Sequence, residues 1–104
     1  MNKMIHKGRE RFFRGVLENF SDLPIDKQNN FKSIKQSIEE TLNDKFNIYI
    51  FGSFNHGFWD EESDYDVNLI GKSNVNLNDI ISQKTNLKVN VFFTENKLGN
   101  IMIP

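Results

Sequence analysis

Two short stretches constrain the fold of this chain more than anything else in it. Asn47-Ile48-Tyr49-Ile50-Phe51 is apolar, β-branched and aromatic, and Gly52 stops it, which predicts a buried strand. Asp64-Tyr65-Asp66-Val67-Asn68-Leu69-Ile70 alternates polar and apolar residues until Gly71, which predicts a half-buried strand whose polar side carries Asp64 and Asp66. A third β-rich run, Leu87 to Phe93, predicts one more strand. Strands this short need helices packed against them. Phe31, Ile34, Ile38 and Leu42 line one face of a helix predicted over 27–45 with Asp26 as its N-cap. Leu77, Ile80 and Ile81 predict a short helix opened by an asparagine cap. Near the N-terminus, Phe12, Phe13, Val16, Leu17 and Phe20 recur at helical spacing beside Lys3, Lys7, Arg9, Arg11 and Arg14. A basic amphipathic helix is therefore expected within 1–22, ended by Pro24.

The order helix, helix, strand, strand, helix, strand is that of an α+β domain, with a small mixed sheet of about three strands covered by helices. At 104 residues and 12.2 kDa, residues 1–104 read as one domain with its core over 27–93. The tail from Thr94 to Pro104 carries no readable pattern. A net charge of -1 argues against strong non-specific nucleic-acid binding, which needs many Lys and Arg contacts to phosphates. Zero cysteines exclude disulfides and thiolate chemistry. With no apolar run of membrane-spanning length, the chain reads as soluble and cytoplasmic.

The chemistry-bearing residues lie between the first two strands. Gly52 can adopt angles closed to other residues and lets an anion approach the backbone, and the Ser53 hydroxyl can bind anionic oxygens. Asp64 and Asp66, roughly 6 to 7 Å apart along one face of a strand, are placed to converge on one divalent cation. Asp60, Glu61, Glu62, Asp64 and Asp66 include no Lys or Arg, so solvent or a cation must relieve their repulsion. His56 reads as an exposed loop residue and Trp59 as a packing anchor under that loop.

The stretch Gly52-Ser53, Gly57 and Ser63-Asp64-Tyr65-Asp66, framed by its two strands, resembles the active-site signature of the DNA polymerase β-like nucleotidyltransferases, most closely their minimal single-domain members. The resemblance implies that Gly52, Ser53, Gly57 and Ser63 contact the phosphates of an NTP, with ATP the expected one. It implies that Asp64 and Asp66 hold Mg²⁺ or Mn²⁺, and that the reaction is NMP transfer to a hydroxyl of a protein or an RNA with release of pyrophosphate. The family usually has a third carboxylate inside a later strand, and the matching catalytic position here is Asn90. Asparagine keeps a ligating oxygen but supplies no charge and no proton acceptor, so nucleotide binding is expected to be more secure than turnover. Glu95 has the opposite strand parity and is a poor substitute. A chain this short must find its acceptor surface in a partner, a second copy or the acceptor itself. The second copy makes a homodimer an expected assembly, and because minimal members of the family are often antitoxins paired with a helical HEPN-type ribonuclease, the resemblance makes such a toxin an expected partner. The contrasting expectation is a catalytically degenerate member that acts as a binding or inhibitory module.

Overall fold

The computed structural model describes residues 3–6, 9–73 and 75–104, with side chains from Phe13 onward. Three strands, β3 (Ile48–Phe51), β4 (Tyr65–Ile70) and β5 (Val89–Thr94), form a mixed sheet in the order β3-β4-β5. β3 runs antiparallel to β4, with Phe51 opposite Asp66, and β5 runs parallel to β4, with Asp66 opposite Asn90. Parallel neighbours need a crossover, and α3 (Asn78–Thr85) supplies it. The long helix α1 (Ile25–Leu42) buries Phe31, Ile34 and Ile38 in the same core as Ile48, Ile50, Val67, Leu69 and Val89 of the sheet and Ile81 of α3. Alternate strand residues therefore face α1 and α3, and the intervening set, including Phe51, Asp66, Asn90 and Phe92, faces away from them.

Both edges of the sheet are covered. On β5 the Val89 N–H donates to Ser82 Oγ at 2.9 Å and the Val91 N–H to Asn78 Oδ1 at 2.7 Å, so α3 side chains occupy the groups an open edge would expose. On β3 the cover is the C-terminal tail: Ile50 N–H donates to the Ile101 carbonyl and Ile103 N–H to the Ile48 carbonyl, both at 2.8 Å. Ile101 and Ile103 are buried. The pairing with β3 alone sets them apart from exposed Met102 between them, in a tail whose sequence carries no alternating pattern.

The helix boundaries shift for local reasons. Pro24, not Asp26, is the N-cap of α1; it has no N–H to satisfy, and its carbonyl accepts from both Lys27 N–H and Gln28 N–H. The helix ends at Leu42 because Asn43 takes a left-handed conformation with φ of 53°. The N-cap of α3 is Leu77, not an asparagine, and it makes no side-chain cap hydrogen bond; Asn76, one residue earlier, accepts from Asn78 N–H at its Oδ1.

The N-terminal helix does not form. Lys3–His6 is β1 and Arg9–Phe12 is β2, an antiparallel pair with Lys3 opposite Phe12; Met1, Asn2, Lys7 and Gly8 lie outside the described residues. Beyond Phe12 the chain is irregular up to a single 3-10 turn at Phe20–Asp22. Gly15 has φ of +94°, which no right-handed helix accommodates. Phe13 and Arg14 instead find partners far along the chain, so tertiary contacts override the helical spacing.

Candidate active site

Between β3 and β4 the chain makes one helical turn, α2 (Ser53–His56), then a loop that delivers Asp64 and Asp66 to the head of the central strand. Gly52 enters this turn with φ of 73° and ψ of -145°, a conformation reserved for glycine. It has a second reason to be glycine: a Cβ there would land on Asp66 Oδ2. Asp66 thus lies directly on the Gly52 backbone, and Ser53 follows at the first position of α2.

Asn90 sits in register with Asp66 on β5. Its side-chain Nδ2 donates to Asp66 Oδ1 at 2.9 Å and to Asp64 Oδ2 at 3.1 Å. Two carboxylates and one amide therefore meet at a single point, and the neutral amide bridges two like charges. At the rim, the Lys88 ammonium lies 3.6 Å from Asp64 Oδ1. Burial pushes the Asp66 carboxyl above its ordinary value; the Asn90 hydrogen bond pulls it back down, and the neighbouring Asp64 charge pushes it up again. Among the described residues no set of three His, Cys, Asp or Glu could hold a metal ion. Among the described residues, the anionic donors that meet at this point are Asp64 and Asp66.

The other residues expected to touch phosphate are placed differently. Gly57 is buried beneath the N-terminal segment, where an added Cβ would meet the Gly15 carbonyl at 2.6 Å and Phe13 Cε1 at 2.8 Å. Ser63 is buried too; its Oγ accepts from Asp60 N–H at 2.8 Å and lies 3.1 Å from Asp60 Oδ1, which closes the turn before Asp64. Gly52, Ser53, Asp64, Asp66 and Asn90 are brought together, and Gly57 and Ser63 shape the loop. Glu95 is exposed and pairs with Lys72 at 3.4 Å.

Two supports of this loop escaped the sequence reading. Lys27 is buried and ion-pairs with Glu61 at 2.9 Å, which relieves part of the acidic cluster; Glu61 and the nearby Tyr65 hold its ammonium above the ordinary value against the opposing effect of burial. Arg14 Cζ lies over the Trp59 ring, 4.3 Å from its centroid, and its Nε donates to the Trp59 carbonyl at 2.8 Å. Trp59 in turn stacks on Phe54 at 5.1 Å, the anchor role its position suggested. Arg14 reads as one of several basic residues near the N-terminus, and nothing in that run points to a partner 45 positions away.

A three-stranded α+β domain with an aspartate pair at the head of its central strand, set against a Gly-Ser turn, defines a class of small nucleotide-transfer folds. The family model described as Polymerase beta, Nucleotidyltransferase matches residues 27–101, and the chain belongs to that family. No curated protein and no solved structure was found to match it. Among the described residues no helix is long and apolar enough to cross a membrane.

Proposed function

We propose that this chain binds an NTP with Mg²⁺ at Asp64 and Asp66 and transfers the NMP to a hydroxyl of a protein or RNA. The observation that carries the reading is the convergence of both aspartates on Asn90 Nδ2, within 3.1 Å, at the head of the central strand of a nucleotidyltransferase domain. The donor set fits the ion: Mg²⁺ is commonly held by one or two carboxylates with substrate phosphates completing its shell. Mg²⁺ bound there supplies charge neutralisation and polarisation of the phosphate oxygens. Gly52 keeps the wall beside Asp66 open, and Ser53 offers its hydroxyl to the phosphates. In the transfer, the acceptor oxygen bonds to the α-phosphorus while the bond from that phosphorus to the β-phosphate bridging oxygen breaks, its electron pair leaving with pyrophosphate. The acceptor proton passes to solvent, because the Asn90 amide has no basic site to take it.

Asn90 also favours a second reading, a binding module with weak or absent turnover, since the position that would carry a third negative charge instead holds a neutral amide hydrogen-bonded to both carboxylates. Pairing with a HEPN-type toxin is compatible with either reading and rests on family resemblance alone; a homodimer rests on the need of a short chain for an acceptor surface, and a cytoplasmic setting on the sequence pattern.

A thermal-shift titration with each of the four NTPs, with and without Mg²⁺, tests the site. Ligand at about 100 times its dissociation constant stabilises by roughly 2.7 kcal/mol, a shift of about 10 °C or more for a domain of this size. We expect a Mg²⁺-dependent shift that the Asp64→Asn/Asp66→Asn pair loses while remaining folded. An unchanged shift in the folded pair would overturn the site assignment. A wild-type shift without transfer to any acceptor, with transfer gained on Asn90→Asp, would select the binding-module reading.

A further inference from the structure

The sheet face that carries the carboxylates continues into an aromatic patch that phosphate chemistry does not use. Phe51, opposite Asp66 on β3, and Phe92, two residues beyond Asn90 on β5, meet across β4 with ring centroids 5.8 Å apart at an interplanar angle of 77°. His56 of α2 lies edge-on to Phe51 at 6.3 Å. Part of this pair has a plain structural use beside Asn68, which is wholly buried between the strands. Asn68 Nδ2 donates to the Phe92 carbonyl at 3.1 Å and to Thr94 Oγ1 at 2.7 Å, and its Oδ1 accepts from Leu98 N–H at 2.8 Å. Phe92 nevertheless leaves 42% of its surface in water, and the neighbouring Phe51 ring holds it in place.

We propose that Phe92, backed by Phe51 and His56, is the surface on which the base of the bound nucleotide stacks. This rests on the nucleotidyltransferase reading above and names the part of the substrate that the carboxylates do not touch. Asn90 and Phe92 share one face of β5, so their Cα atoms are roughly 6.6 to 6.8 Å apart. That step is comparable to the ribose that separates phosphate from base. An aromatic face fixed by an edge-to-face neighbour loses little freedom when a base covers it. Stacking reads the π-face and not the base edges, so all four NTPs bind, with purines favoured a few-fold by their larger rings.

Isothermal titration of Mg-ATP and Mg-tripolyphosphate into wild type, Phe92→Leu and Phe92→Trp tests this. Leucine keeps apolar cover beside Asn68 and removes the π-face, and tryptophan restores it. We expect wild type to bind ATP about tenfold more tightly than tripolyphosphate, Phe92→Leu to lose about that factor for ATP alone, and Phe92→Trp to retain it. Unchanged tripolyphosphate binding and melting temperature in Phe92→Leu show that the phosphate site and fold are intact. If Phe92→Leu binds ATP as wild type does, the base platform is overturned and the phosphate site stands. Failure of wild type to bind either ligand overturns the nucleotidyltransferase reading, and the platform with it.

Discussion

Gly52 and Gly57 stand at the two ends of the same helical turn, both with positive φ, yet they answer to different parts of the molecule. Gly52 is held open for Asp66, so its missing side chain belongs to the carboxylate site. Gly57 is held open for Gly15 and Phe13, and its carbonyl accepts from Arg14 N–H at 2.7 Å, so its missing side chain belongs to the strap that the N-terminal segment lays across the loop. A motif that reads as one phosphate-binding unit is thus two devices joined end to end: one half shapes the chemical centre and the other half anchors the loop that presents it.

Alanine at Gly52 is expected to have the largest effect. It combines a conformation closed to alanine with a collision against a half-buried carboxylate, at a cost of about 3 kcal/mol. The melting temperature should fall by more than about 10 °C, and Mg²⁺-dependent nucleotide stabilisation should disappear. Alanine at Gly57 should cost less, about 2 kcal/mol, because the strap can lift away. Calorimetry should show the loss of stability while Mg-NTP affinity in the folded fraction stays within a few-fold of wild type. Equal loss of affinity in both variants would dissolve the distinction between the two halves.

Asn90→Asp sharpens the comparison from the other side. Replacing two donated hydrogen bonds by a third like charge should destabilise the metal-free domain by about 1 to 2 kcal/mol, and millimolar Mg²⁺ should restore the melting temperature. No Mg²⁺ dependence of that variant's stability would mean that the cluster does not gather a cation. The smallest effect concerns pH. Because the Asp66 carboxyl is raised above its ordinary value of 3.8, the folded state holds that proton more tightly than the unfolded state, and ionised Asp66 opposes folding at neutral pH. Asp66→Asn should therefore melt slightly higher than wild type at pH 7. That advantage should shrink as pH falls through the raised value towards 3.8, where wild type is relieved of its penalty. Two melting curves that stay parallel across that range would place the carboxylate in an unstrained setting.

The core elements were legible because each is set by a pattern of residues close together in the chain. The period-two run from Asp64 to Ile70, the β-branched run from Ile48 to Phe51 and the apolar stripe Phe31, Ile34 and Ile38 are local properties, and burial followed them. The convergence of Asp64 and Asp66 was legible for the same reason, since they share one strand face. The N-terminal segment misled because helical spacing is a weak preference that Gly15 and distant partners overcame. The tail was missed because its two buried isoleucines mean nothing until β3 offers them an edge.

By itself the sequence determined the family, the α+β class, the strands and helices of the core and the two aspartates, all of which depend on residues close together in the chain. Only the tertiary structure decided that Asn90 bridges both carboxylates, that Gly57 serves the strap, that Lys27 restrains Glu61 and that Phe51 meets Phe92 beside the site. Each of those pairings joins residues on separate elements, and the register of β5 on β4 and the path of the segment at Arg14 are settled by packing the whole core at once.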